Sequence, residues 1–132
     1  MELTIDEALQ QGVAAHKEGK LQDAERFYRA ILQSQPAHPD ANHNLGVLTV
    51  SVNKTDAALP LFKTALETNP KIEQFWLSYI NALIKETQFD NAKQVLEQGR
   101  KQGNLSGMAG YLLDAAIKVD MGNLDEAKVI YA

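Results

Sequence analysis

A period of about 34 residues constrains this chain more than any other feature. Small residues stand at Ala24, Ala58, Ala92 and Ala127, at steps of 34, 34 and 35. Four residues beyond each come Tyr28, Phe62, Leu96 and Tyr131. Pro36 and Pro70 lie twelve residues past the first two alanines, and Gly12 and Gly46 lie twelve before them. Trp76 precedes Ala92 by sixteen residues, as Tyr111 precedes Ala127. Alanine is frequent here, so its ladder alone says little. Several ladders in one register define a repeating unit, and a unit this short buries its apolar face only by stacking on its neighbours.

Each unit reads as two helices. The first opens at Thr4, where TIDE has the pattern of a capping box joining Thr4 and Glu7. Ile5, Ala8, Leu9, Gly12 and Val13 then follow helical spacing. Gly19 ends this helix, and Asn53 and Gly122 suit the same positive-φ turn in other units. Thr87 does not, so a different turn is expected in the third unit. The second helices begin at Gln22-Asp23, Thr55-Asp56, Asp90-Asn91 and Asp125-Glu126, where acceptors and negative charge suit a helix start. Pro60 falls about one turn into its helix, where a missing N–H costs little. Pro36 and Pro70 close the second helices. The ladder alanines mark helix crossings, and the large residue one turn later fills the adjacent gap. The last helix is expected from about Leu124, cut short at Ala132.

These residues resemble the tetratricopeptide repeat, whose signature runs W-x₂-L-G-x₂-Y, then A-x₃-F, then P. Leu45-Gly46, Ala58, Phe62, Ala65 and Pro70 match it in the second unit. The first matches at Gly12, Ala24, Tyr28 and Pro36, and the third at Trp76 and Ala92. The third departs at Ile80, Gly99 and Asn104, and the fourth matches at Tyr111, Ala115, Ala127 and Tyr131. The resemblance implies an all-α, right-handed superhelical array of antiparallel helix pairs, with about 3.5 repeats in a single domain over residues 1–132. The repeats would span about 5–38, 39–72, 73–107 and an incomplete 108–132. The segment FWLSYINALIKETQFDNAKQVLEQG is similar to repeats of bacterial arrays that precede an O-GlcNAc-transferase-like or other transferase domain.

Composition narrows the function classes. The 132 residues are 45% hydrophobic and 23% charged, a globular balance. Net charge is −4 with Lys and Arg scattered, so nucleic acid, which needs a concentrated basic face, is not expected as a partner. The absence of cysteine excludes disulfides and thiolate chemistry, and fits a cytoplasmic setting. MELTIDEAL lacks the features of a signal peptide, and no apolar run approaches a membrane span. His38, Asp40 and His43 are close in sequence, but the first belongs to a loop and the second histidine to a helix face; no metal or other cofactor is expected. The carboxylate pairs Asp6-Glu7 and Asp125-Glu126 fall at helix starts, where capping accounts for them without acid–base catalysis. Glycines 99, 103, 107 and 110 lack the GK[ST] of a phosphate loop. The resemblance implies that Trp76 and Tyr111 are inter-helix packing residues, and no catalytic residue is assigned.

The resemblance also implies a concave groove lined by the first helices. Its positions correspond to Leu9, Val13, His16 and Lys17, then Asp40, His43, Asn44, Val47 and Val50, then Gln74, Leu77, Ser78, Asn81 and Lys85. Apolar, amide and charged groups in that mixture suit a protein or peptide segment. Asn44 matches the asparagine that contacts peptide backbone in O-GlcNAc-transferase-type arrays, while Gln10, Ser78 and Leu113 at the equivalent positions break the amide ladder. Leu9 and Val13 replace the first lysine and asparagine of the chaperone-tail carboxylate clamp. A protein-interaction module is therefore expected. Its rivals are the substrate-recruiting part of a larger transferase and a self-assembly scaffold. An apolar edge at Leu112, Ile117, Leu124 and Ile130 points to a longer native chain or a weak homodimer through the C-terminal repeat.

Overall fold

A computed structural model of the chain describes residues 3–131, with side chains through residue 123. Among the described residues there are seven α-helices: α1 (Ile5–Lys17), α2 (Leu21–Ser34), α3 (Pro39–Ser51), α4 (Thr55–Thr68), α5 (Glu73–Lys85), α6 (Phe89–Gln102) and α7 (Gly107–Tyr131). The starts at 5, 39, 73 and 107, and those at 21, 55 and 89, are each 34 apart, so the period of the sequence is the period of the backbone. The chain forms two compact units, Met1–Asn69 and Pro70–Ala132.

In the first unit α1 packs on α2, α3 on α4, and α2 on α3. The capping box forms: Thr4 Oγ1 accepts from the Glu7 amide at 3.1 Å, and Glu7 Oε1 accepts from the Thr4 amide at 3.1 Å. Those hydrogen bonds favour the ionised carboxylate and lower the Glu7 pKa. Gly19 at φ 77° turns the chain, with its own amide bonded to His16 and the Lys20 amide to Ala15. Asn53 at φ 64° repeats the arrangement. Ala24 and Ala58 are wholly buried, as the crossing argument requires. The glycines explain themselves by what faces them. A Cβ on Gly12 would stand 2.6 Å from a ring carbon of Tyr28, and one on Gly46 2.5 Å from Phe62. Each aromatic ring occupies the space that the glycine leaves.

In the second unit α5 packs on α6, and α7 touches both. Phe75, Trp76, Ile80, Leu83, Leu96, Leu113 and Ile117 are buried. Ile80 replaces the glycine of the earlier pairs, and the smaller Leu96 replaces the aromatic residue. Gly99 leaves room for Leu105 and Trp76, since a Cβ there would lie 2.5 Å from the leucine and 3.1 Å from the tryptophan. Ser106 Oγ accepts from the Ala109 amide at 3.1 Å and starts α7, while Glu73 accepts from the Ser106 amide at 2.7 Å.

Several expectations need correction. Thr87 takes φ 58°, so the third turn has the same geometry as the first two despite its β-branched residue. The second helices α2, α4 and α6 are preceded by Lys20, Lys54 and Gln88, and none makes a side-chain capping bond; Asp23, Asp56 and Asp90 sit in the first turn, where negative charge suits the helix dipole, and Asp23 also accepts from Arg26 at 2.7 Å. Pro60 is the sixth residue of α4, deep enough that its missing N–H removes an intrahelical bond toward Asp56. Leu124 does not start a helix, because α7 runs unbroken through Gly122. A single helical glycine costs about 1 kcal/mol, which flanking helix formers such as Ala115, Ala116, Met121 and Glu126 can offset. Because α7 begins 34 residues after α5, the step of 35 that paired Trp76 with Tyr111 is one too long. The register-equivalent of Trp76 is Gly110, which is buried, and Tyr111 is rotated about 100° to a 68% exposed position. Ile117 is buried rather than part of an exposed edge; of that edge Leu112 is exposed, and the side chains of Leu124 and Ile130 lie outside the described residues, as do those of Asp125-Glu126, Ala127 and Tyr131.

Candidate functional site

The helix starts that position the site are themselves built from the loops before them. His38 Nδ1 accepts from the Ala41 amide at 3.1 Å and so caps α3, with Pro39 as the first helical residue. Asn42 Nδ2 donates to the Pro36 carbonyl at 3.0 Å and to the His38 carbonyl at 2.9 Å. Trp76 Nε1 does the same for the Pro70 carbonyl at 2.7 Å. Asn42 and Trp76 are 34 apart, as are the two prolines, so one repeat uses an amide where the next uses an indole. The signal was present in the spacing, but the two residue types hide it.

On the first unit, Val13, His16 and Lys17 of α1, Tyr28 of α2, and Asn44 and Val47 of α3 surround a shallow depression of about 240 Å³. Five of these six residues are groove candidates from the sequence. A second depression of about 340 Å³ continues along α1 past Leu9, Gln10, Val13, Ala14 and Lys17. The shared residues Val13 and Lys17 make the two adjacent. Tyr28 belongs to the site although its sequence pattern gave it only a packing role; it is 1% exposed and contributes little more than its edge. Burial raises its phenol pKa and keeps it neutral.

His43 does not line either depression. It is 9% exposed, with its ring centroid 5.6 Å from that of Phe62. Burial lowers its pKa, opposed by a hydrogen bond to the Asn44 side chain and by the charge of Asp40. At 9% exposure His43 offers little surface, and its side chain bonds that of the adjacent Asn44. Asp40 is exposed and Val50 half-buried on the same helix. Among the described residues, no three His, Asp or Glu side chains are grouped to hold a metal ion, and no helix is long and apolar enough to cross a membrane.

On α5 in the second unit, Gln74, Asn81 and Lys85 are exposed, and Leu77 and Ser78 half-buried. Gln74 Nε2 donates to Ser78 Oγ at 3.3 Å. The corrected register puts Leu112, not Leu113, at the position of Asn44 and Ser78, and Leu113 is buried. The glycines at 103, 107 and 110 have structural places. Gly103 caps α6 at φ 72°, Gly107 opens α7, and the Gly110 carbonyl accepts from Arg100 at 3.0 Å.

A larger depression, about 810 Å³, lies between α1 and α2 and includes Ile5, Ala8, Phe27 and Ile31. None of the sequence-derived groove residues is in it. Leu61, one period after Phe27, packs against the cluster of Ala15, Ala24, Tyr28, Leu45 and Leu48.

The comparisons with known proteins agree with this architecture. Residues 50–107 match the tetratricopeptide repeat family model. Among solved structures, the chain is similar to the tetratricopeptide domain of Sgt2 from Aspergillus fumigatus, with a TM-score of 0.73 and 21% identity, covering 94% of this chain and 81% of that one. It is similar to the Yersinia enterocolitica type III secretion chaperone SycD, solved with a peptide of the translocator YopD, with a TM-score of 0.76, 12% identity, and 93% and 96% coverage. It is also similar to an O-GlcNAc transferase of Thermobaculum terrenum, with a TM-score of 0.71 and 21% identity, over 89% of this chain but 23% of that one. No curated protein sequence matches the chain. Its fold is that of the tetratricopeptide repeat, all-α and built from helix pairs at a 34-residue period.

Proposed function

We propose that this chain is a non-catalytic protein-interaction module that holds a peptide or protein segment on the faces of its first helices. The observation that carries the reading is the depression where α1, α2 and α3 bring Val13, His16, Lys17, Asn44 and Val47 together. Valines offer a dry footing, an amide can meet backbone groups, and rigid helices hold the surface in place before a ligand arrives. The repeats would work as one domain in the cytoplasm, with Gln74, Leu77, Ser78, Asn81 and Lys85 as the binding residues of α5. SycD, which shares the fold, was solved with a translocator peptide, and this supports the same class of ligand here. A preference for protein over nucleic acid follows from the net charge of −4.

The test is a selection of random displayed peptides on the intact chain, followed by anisotropy titrations of the winners. Asn44→Ala should weaken binding by about 1 kcal/mol with an unchanged circular dichroism spectrum. Peptides indifferent both to Asn44→Ala and to a charge placed at Val47 would refute the site.

A second reading is favoured by the similarity to a stretch of an O-GlcNAc transferase. In it the same surface recruits substrates for a transferase domain elsewhere in a longer chain. Peptides selected here that become glycosylated by the parent protein would establish it. Self-association is a third use of the fold, supported by Met108, Tyr111 and Leu112 exposed on one side of α7. Sedimentation across a concentration series tests that directly.

A further inference from the structure

The two adjoining depressions on α1 have a charge character that the molecule as a whole does not. The chain carries 17 acidic residues against 13 Lys and Arg. Yet no carboxylate lines either depression, whereas Lys17 lines both and His16 lines one. Lys17 is exposed and enters no ion pair among the described residues. Its neighbour Glu18, the nearest acid in sequence, lines neither depression and pairs at the surface with Lys20 at 3.2 Å. Asp40, the acid of α3, lies about 10 Å along the helix from Val47 but one turn, about 6 Å, from Asn44, so it borders the depression at the end away from Val47 without lining it. An exposed ammonium that no carboxylate already pairs is open to an incoming carboxylate, with an attraction of the modest size usual at a protein surface. Asn44 lies on the same depression, its side chain bonded to His43.

We infer that this surface selects segments in which an aliphatic side chain, seated between Val13 and Val47, is accompanied by an Asp or Glu carboxylate that meets Lys17. The inference rests on the binding function proposed above and names the chemistry of the ligand. Val13 and Val47 supply apolar contact without a shape that demands one particular residue, so they favour aliphatic side chains broadly. Lys17 supplies a point charge on a flexible stem, which reaches a carboxylate from more than one backbone register. The expected motif is therefore a pairing of residue types and not a rigid sequence. Steering by this charge should show in association rate and in salt dependence more than in dissociation.

The probe is a library of random twelve-residue displayed peptides selected on the intact 132-residue chain. Binders weakened by Val47→Glu, a substitution at a 38% exposed helix position, define the groove set. Within that set Asp and Glu should be enriched about threefold over the unselected library. Lys17→Glu should weaken these peptides about tenfold, and a fresh selection on Lys17→Glu should enrich Lys and Arg instead. Lys17→Met, which keeps the stem, should weaken them less than the charge reversal. Circular dichroism of each variant checks the fold. Groove binders without acidic enrichment, or indifferent to Lys17→Glu, would overturn the inference and leave the binding function standing. A selection that yields no peptide sensitive to Val47→Glu or to Asn44→Ala would overturn both.

Discussion

Two helix crossings in this molecule use the same backbone plan and opposite side-chain sizes. Between α3 and α4 a glycine faces a phenylalanine, so closely that a Cβ on Gly46 would stand 2.5 Å from the ring. In α5 and α6 the equivalent positions are Ile80 and Leu96, both buried. The first solution puts all the volume on one helix, and the second divides it. A crossing therefore conserves space between helices and not residue identity, as expected of interiors packed at crystal density.

The comparison can be broken by exchanging one half of the solution. Gly46→Ile alone should destabilise by about 3 kcal/mol, because the branched side chain collides with a ring that has nowhere to go. Phe62→Leu alone should leave a cavity and also destabilise. The double variant should recover at least half of the summed loss, since it recreates the pairing of Ile80 with Leu96. Urea melts of the four proteins measure the coupling. A double variant no better than the sum would mean that the two crossings differ in backbone spacing as well as in side chains.

The turns make a parallel comparison with a different outcome. Gly19, Asn53 and Thr87 all take positive φ, although threonine is the least suited of the three. Gly122, well suited, lies inside α7 and takes no such angle. The turn residue thus does not decide whether the chain turns. What holds Thr87 in place is the pairing of α5 with α6, through buried Ile80, Leu83, Ala92 and Leu96. Burial of that size outweighs the roughly 1–2 kcal/mol of a non-glycine residue in the left-handed region. Thr87→Gly should relieve the strain and, after the added unfolded-state entropy, stabilise by about 0.5–1 kcal/mol. A thermal melt showing loss instead would mean that the bond from Thr87 Oγ1 to the Glu86 carbonyl, 2.7 Å long, matters more than the strain.

How far the sequence could be read follows from the same distinction. Period, helix pairing, buried alanines and the Thr4 capping box were legible because each depends on residues near in sequence or on a fixed interval. Five residues that line the depression between α1, α2 and α3 are groove positions that the resemblance to the tetratricopeptide repeat implies. The burial of His43 was not legible, because it depends on Phe62 across a helix pair, and a histidine on a helix gives no local sign of which way it faces. The exposure of Tyr111 was missed through a one-residue slip in register, which on a helix is a rotation of about 100°. The bond from Asn42 to Pro36 was hidden by chemistry, since asparagine and tryptophan share only an N–H.

The smallest effect gives a test by sign. Gly19 and Gly122 both have open space where a Cβ would go, with nothing within 4 Å. Sterics against neighbours therefore play no part, and alanine at either site reports backbone conformation alone. At Gly19, with φ 77°, alanine must enter the left-handed region, and stability should fall by about 1 kcal/mol. At Gly122, inside α7, alanine removes the entropic cost of glycine in a helix and should stabilise that helix by about 0.5–1 kcal/mol. Far-UV circular dichroism should show a gain in helix for Gly122→Ala, and amide exchange should slow on both sides of residue 122. The same substitution thus has opposite consequences at two glycines that the sequence ladder, with its last step of 35, treats as equivalent. If Gly122→Ala destabilises as Gly19→Ala does, the chain turns at 122 in solution, and the fourth unit is a helix pair like the others.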